Sequence, residues 1–313
     1  MENKLKVIIT GATGFIGKHL LEDIDLNKYI VTIITRHSNK VSSSISNKFN
    51  VQIADLRDVD SLKKAFQGQD IFINLAAEVR NLDEMEETNI GGTKNLIEAI
   101  NFSNIKKVIH LSSVGVTGKS YSDKLIYVDE EVVCTPLNEY ERTKSVSEML
   151  FLEAQKTLGF SLIVLRPTNV YGEFHSFNAL LKMMNHIKKW SLVAYFNSAM
   201  VNYVYVKDIT SLICYFIENE SRYLVLNVGQ AETLERFFYH VAEELGIGLK
   251  TIALPSLIVK LGRILEINKI RTISNEVVYT DKRLLEFFNY PYGLKKGIQR
   301  TVNHYKNQDL IKQ

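Results

Sequence analysis

A phenol and an ammonium stand four residues apart in Tyr140-Glu141-Arg142-Thr143-Lys144. Positions i and i+4 share a face of a helix, so the two groups project together. A cation beside a phenol favours the phenolate and draws its pKa down toward the working range. A tyrosine so placed can give a proton to, or take one from, an oxygen that cycles between alcohol and carbonyl. Ser112 and Ser113 end an apolar run upstream. A hydroxyl at Ser113 can hydrogen-bond the same oxygen, while Ser112 reads as structural. The Tyr-Lys spacing alone also describes an ordinary helix-surface pair. Its weight comes from what surrounds it in the chain.

Near the start of the chain, Val7-Ile8-Ile9-Thr10 runs into glycines at 11, 14 and 17 and then a helical pattern, Leu20, Leu21 and Ile24. That is a buried strand, a tight turn and a helix. Gly11 lets the chain reverse, Gly14 lets the backbone approach a diphosphate, and Gly17 lets the helix pack closely on the sheet. Free N–H groups and the dipole at the helix start favour an anion there. Glycines serving packing alone are the competing reading. With a strand before and a helix after, the dinucleotide reading leads. A nicotinamide dinucleotide would supply the hydride partner to a proton moved by Tyr140.

The second strand ends Ile34-Thr35-Arg36-His37. An acidic residue at this place binds the ribose 2′-hydroxyl of NAD. Thr35 cannot, and Arg36 would attract a 2′-phosphate. NADP(H) is therefore favoured and NAD(H) is the alternative, in which Arg36 is solvated or stacks on adenine. Asp55, ending the third strand, can accept from the adenine amino group or cap the next helix. Asp58 is the better cap, because the helix starts just after it. Ala76 and Ala77, ending the fourth, are small enough for a dinucleotide to lie against the sheet edge.

The elements that must position these residues alternate. Strands are expected at 6–10, 29–35, 51–54, 71–75, 108–112 and 162–166, with helices between them, notably 83–101 and 138–158. Continuous apolar strands separated by helices imply a parallel sheet covered on both faces. Ligands of such sheets sit beyond the carboxyl ends of the strands. The fold class is α/β: a Rossmann-type doubly wound parallel sheet with a smaller C-terminal α+β substrate lobe. Residues 1–168 with about 203–228 make the dinucleotide-binding domain, and 169–202 with 229–313 the lobe. Further strands are expected at 203–206 and 223–227, and further helices at 176–189, 207–218, 233–245, 255–266, 281–288 and 297–305. The stretch 256–267 is amphipathic. Packing within the lobe is expected for it, rather than a membrane surface.

The 313 residues suffice for this arrangement, and 46% hydrophobic with 23% charged is globular. A net charge of +3, interspersed, suggests no nucleic-acid partner. Cys134 and Cys214 form no framework, and seven scattered histidines show no metal-ligand spacing, so no metal site is expected. No apolar run is long enough to span a membrane, and the first strand leaves no room for a signal peptide. A cytoplasmic location is expected.

Seven motifs resemble, in order, the extended short-chain dehydrogenase/reductase family: TGATGFIG (10–17), ADLRD (54–58), NLAA (74–77), TNIGGT (88–93), LSSVGVTG (111–118), YERTK (140–144) and RPTNVYG (166–172). The likeness is to its nucleotide-sugar epimerases, dehydratases and reductases. It implies a pyrophosphate loop at Gly11, Thr13, Gly14, Phe15, Ile16 and Gly17, and adenine contacts at Asp55 and Leu56. It implies cofactor lining at Ala76 and Ala77, and a catalytic triad of Ser113, Tyr140 and Lys144, with Lys144 also on the nicotinamide ribose. Pro167 matches the residue beside the nicotinamide amide, Asn169 a contact to the substrate diphosphate, and Asn89 a residue tied to helix geometry and a water. Helices 83–101 and 138–158 match a homodimer interface.

Departures narrow the chemistry. Val114 and Gly115 follow Ser113 where the dehydratases carry Asp-Glu, which disfavours dehydration. Thr117 replaces a tyrosine, and Val201 an arginine that clamps diphosphate; Lys182, Lys188, Lys189 and Arg271 are the other cations available. A nucleotide-sugar 4-epimerase or 4-ketoreductase is expected. The alternatives are an NADPH-dependent reductase of a non-nucleotide ketone or aldehyde, and a non-catalytic nucleotide-binding protein.

Overall fold

Leu5–Thr10 forms the first strand, β1, because its Val7-Ile8-Ile9 run can bury both faces. A computed structural model describes residues 4–311, apart from 38, 40, 120, 123, 175–178, 197, 266, 268–269, 271–273 and 309. The further strands of the main sheet are β2 (Tyr29–Thr35), β3 (Asn50–Ile53), β4 (Ile71–Asn74), β5 (Lys107–Leu111), β6 (Ser161–Pro167) and β7 (Val225–Val228). Their order is β7-β6-β5-β4-β1-β2-β3. The pairs run parallel, with Ile8 opposite Thr32 on one side and Phe72 on the other, and Val108 opposite Leu162. This is the doubly wound sheet expected.

Helices Val59–Phe66, Gly92–Asn101 and Glu139–Leu158 pack on it through one apolar cluster that includes Phe66, Phe72, Leu96 and Phe151. The Phe66 and Phe72 rings lie 4.9 Å apart. Each such side chain contributes roughly 1.5–3 kcal/mol by leaving water. The expected helix 83–101 is three pieces: α-helix Leu82–Glu86, a π turn Glu87–Gly91, and α-helix Gly92–Asn101.

The chain divides into two units. The first comprises 1–118, 133–166 and 209–226, and the second 119–132, 167–208 and 227–313. The segment 119–132 groups with the second unit because Ile126–Val128 pairs in parallel with Val277–Tyr279. That unit also holds a three-stranded sheet (Asn169–Tyr171, Met200–Tyr205, Gln230–Thr233) and a parallel pair, Leu192–Tyr195 with Lys250–Ala253. Of these the sequence pattern predicts only one, at 203–206, where the strand runs Met200–Tyr205. The others have three or four residues, too few for a periodic signal. The unit's helices include Ala179–Trp190, Leu234–Leu245, Ser256–Ile264, Lys282–Leu285 and Gly293–Asn307. Residues 176–178 of the first expected helix lie outside the described residues.

Candidate active site

Strand order reverses between β1 and β4, so the loops leaving these neighbours diverge and open a crevice. A cavity of about 230 Å³ lies there, lined by residues of the first unit. The turn Gly11–Gly14 forms one wall and Leu75-Ala76-Ala77 the other. Gly11 has φ +70°, and a Cβ on it would stand 2.6 Å from the Leu75 carbonyl carbon. A Cβ on Gly17 would stand 2.3 Å from the Gly11 oxygen. Neither position tolerates a side chain.

Gly14 occupies the N-cap of helix Phe15–Asp23 and supplies no capping side chain, and the first turn carries no acid. Its leading N–H groups therefore remain for an anion. Among the described residues, the Thr88 hydroxyl lines this cavity, buried and without a partner. A glycine-built anion cradle and an orphaned hydroxyl in one cavity fit a dinucleotide.

Thr13, Arg36, Asp55, Leu56, Ala76 and Ala77 all line the cavity, as do Thr35, His37, Glu78 and Thr88. Phe15 and Ile16 open the helix beside it. Arg57 grips both Asp55 oxygens (Nε 3.1 Å, Nη2 2.8 Å), and this holds the Asp55 carboxyl below the usual range. Asp58 caps helix Val59–Phe66 by accepting from Asp60 and Ser61 N–H, as expected. Glu78 Oε1 accepts the backbone N–H of Val79, Arg80 and Asn81 at 2.9–3.0 Å. Those bonds, led by Asn81, hold its carboxyl low. Arg36 is exposed at the rim and favours the charged forms of both acids. The sequence did not single out Glu78 or Thr88. Their only signal was adjacency to NLAA and to Asn89.

The Tyr140 helix begins with a reciprocal cap that resembles a capping box. Asn138 Oδ1 accepts from Glu141 N–H (2.9 Å), and Glu141 Oε2 reaches back to Leu137 N–H (2.8 Å). Glu141 also abuts Gly115, where a Cβ would lie 3.0 Å from Glu141 Cγ and 3.3 Å from Ser113 Oγ. The Ser113 turn and the first turn of the Tyr140 helix are thus packed together. Ser113 caps the short 3-10 helix Val114–Thr117 by accepting from Gly115 N–H at 3.1 Å. Ser112 donates to Glu148 (2.7 Å), which pairs with Arg166 inside the core. Ser112 is therefore the structural serine.

Lys144 is buried and donates to the Leu111 carbonyl at 2.5 Å. Burial pulls its ammonium down to about 8, against the opposing pull of Glu148. Tyr140 departs from expectation. Burial pushes its phenol up, and Glu141 adds to this. The ammonium that was to lower it spends a hydrogen bond on Leu111.

Asn89, in the π turn, ties the two halves. Its amide exchanges hydrogen bonds with the Glu78 backbone (2.7 and 2.9 Å) and donates to Thr143 Oγ1 (3.0 Å). Thr143 Oγ1 in turn donates to the Tyr140 carbonyl (3.0 Å). The wall of the cavity and the helix bearing Tyr140 and Lys144 are braced by one side chain.

The low Lys144 pKa has a stability consequence. Unfolded, the amine titrates near 10.5; folded, near 8. Between these values the unfolded chain binds more protons, so stability rises with pH across the window and is lost again as pH falls through about 8. Urea midpoints measured across that window will climb for the native chain relative to Lys144→Met. Parallel curves would refute it.

In the second unit, Pro167 closes β6 and is buried. Asn169 is exposed, and its amide donates to the Asn202 carbonyl (3.0 Å). Val201 pairs with Glu232 in the antiparallel ladder. Lys182, Lys188 and Lys189 are exposed on helix Ala179–Trp190, and Arg271 lies outside the described residues. Among the described residues no cluster of His, Cys, Asp and Glu could hold a metal, and no helix is long and apolar enough to cross a membrane.

Comparison with known proteins bears on this geometry. The model of the NAD dependent epimerase/dehydratase family matches residues 7–229. The N-acetyl-alpha-D-glucosaminyl-diphospho-ditrans,octacis-undecaprenol 4-epimerase of Escherichia coli O157:H7 is 27% identical, over 97% of this chain and 97% of its own. Two solved structures share the fold. UDP-glucose 4-epimerase of Thermotoga maritima, with UDP-glucose, has TM-score 0.74 at 21% identity, covering 97% and 99% of the two chains. UDP-glucuronic acid 4-epimerase of Bacillus cereus, in complex with NAD, has TM-score 0.74 at 20% identity, covering 98% and 100%.

Proposed function

Because the chain belongs to the NAD dependent epimerase/dehydratase family of extended short-chain dehydrogenase/reductase enzymes, we propose that it moves hydride at a secondary alcohol or ketone carbon of a nucleotide-linked sugar. The carbon is C4, and the reaction is epimerisation or keto reduction. The observation that carries this reading is the Asn89 brace, which couples the dinucleotide cavity to the helix of Tyr140 and Lys144.

The Gly11–Gly17 turn holds the diphosphate on helix N–H groups, Asp55 and Leu56 meet the adenine, and Ala76 and Ala77 leave the wall flat. A nicotinamide dinucleotide held there would supply the hydride chemistry at the sugar carbon. Tyr140 moves the proton at the sugar oxygen. Ser113 hydrogen-bonds that oxygen and fixes its distance from the phenol. Lys144 holds the ribose and keeps a positive charge beneath the phenol as the proton leaves. Pro167 flanks the nicotinamide and Asn169 the substrate diphosphate.

Arg36 at the cavity rim favours the 2′-phosphate of NADP(H). This favours a ketoreductase that exchanges NADPH over an epimerase that retains NAD(H). The same diphosphate chemistry also admits a sugar carried on a polyprenol, as in the name of the E. coli relative. Exposed Leu82, Phe102 and Met149 on or beside the two helices support a homodimer through 83–101 and 138–158.

Mass spectrometry of small molecules released from freshly purified, denatured protein separates the two modes. A ketoreductase yields an empty site that takes up NADPH. Retained NAD(H) identifies an epimerase. No affinity for either dinucleotide overturns the reading. Arg36→Asp weakens NADPH binding about tenfold or more while leaving NADH nearly unchanged, since one charge-assisted contact is worth roughly 1.5–3 kcal/mol. Equal losses for both cofactors in a fluorescence titration would remove the NADP(H) assignment.

A further inference from the structure

The Lys250–Ala253 strand passes through Leu254 and Pro255 into helix Ser256–Ile264. Packing within the lobe was expected for this helix, and half of it packs so. Val259 and Gly262, three residues apart, are buried, with Gly262 pressed against Ile270. No described residue covers the opposite stripe. Leu257, Ile258, Leu261 and Ile264 follow at i, i+1, i+4 and i+7, each 48–75% exposed. The solvated face of a helix is normally polar, and this stripe, beside exposed Lys260, is aliphatic.

The apolar surface continues beside it. Strand Lys250–Ala253 pairs with Leu192–Tyr195, which sets Leu192 by Lys250 and Ala194 by Ile252. Leu192 and Ile252 are exposed. Two residues earlier Trp190 is 61% exposed, with the Lys189 ammonium 5.0 Å over its ring.

Charge identifies the occupant. Residues 179–195 and 250–265 contain no aspartate or glutamate, and Lys182, Lys188, Lys189, Lys250 and Lys260 are exposed there. A second copy would set the same cations against each other, which opposes association. Anionic lipid headgroups match them, each cation near such a surface adding about 1 kcal/mol. Tryptophan belongs at the headgroup level, and an aliphatic stripe flanked by lysine sinks just below it. Nine helical residues extend about 14 Å, short of the roughly 30 Å hydrocarbon core, so the helix lies flat.

We propose that this face of the second unit docks on an anionic lipid bilayer and makes the protein a peripheral membrane enzyme. The proposal does not depend on the hydride chemistry above. Its test is co-sedimentation of the full chain with phosphatidylcholine vesicles, with and without phosphatidylglycerol. The native chain pellets with the phosphatidylglycerol vesicles and is released by salt. Leu261→Gln with Ile264→Gln weakens this at least tenfold, because two aliphatic side chains no longer leave water. Lys188→Gln with Lys189→Gln weakens it about tenfold and flattens its salt dependence. A native chain that stays in the supernatant overturns the proposal, as does undiminished binding by the Leu261/Ile264 variant. So does sedimentation velocity showing that this variant splits a native dimer while vesicles are ignored.

Discussion

Tyr140→Phe turns over about 10²–10⁴-fold more slowly than the native enzyme, the usual scale for losing a general acid or base. The ring stays, so the helix start and its packing stay. Only the proton donor goes. Dinucleotide affinity is unchanged, because the cavity is built by the Gly11–Gly14 turn, the end of β2, Ala54-Asp55-Leu56 and the Leu75–Glu78 wall. The measurement is steady-state turnover of a nucleotide sugar that the native chain converts, beside a cofactor titration. Undiminished turnover would refute the role of Tyr140. Lost cofactor affinity would show instead that the phenol serves the site's architecture.

Arg166→Leu destabilises the fold by about 3–5 kcal/mol, which lowers the melting temperature by roughly 10 °C. Arg166 and Glu148 are 4% and 3% exposed. The guanidinium grips both Glu148 oxygens, one of which also takes the Ser112 hydroxyl. Removing the cation leaves a buried carboxylate held by a single hydroxyl. Replacing both residues with leucine removes the stranded charge, so the double variant melts well above the single one. Thermal denaturation of both variants decides, and equal melting points would deny that the pair is a unit. Glu148 also supports the charge of Lys144, so the double variant lowers the Lys144 pKa further.

Much of this was legible in the residues. The β2 strand was read at its observed bounds because its apolar run is continuous and flanked by polar residues. Asp58 was read as a cap because capping is a local rule. Glu78 and Thr88 were not, because the crevice they line is created by β1 pairing with β4 across sixty intervening residues. The Tyr140 phenol was read with the wrong sign. Spacing shows that Lys144 is near, but not that its ammonium is committed to Leu111. Helix Ser256–Ile264 shows the same limit. Its apolar residues fill more than half of its circumference, and such a pattern does not say which part of that arc is covered.

The π turn at Glu87–Gly91 gives the chain one residue more than a plain α-helix needs. A one-residue deletion there would leave a more regular helix and a worse protein. Everything beyond it would rotate by about 100°, carrying Thr93 away from Ser147 and turning Leu96 out of the apolar layer. The surplus residue is therefore a ratchet: once the downstream turns are tuned to it, shortening cannot be tolerated without re-registering the whole helix.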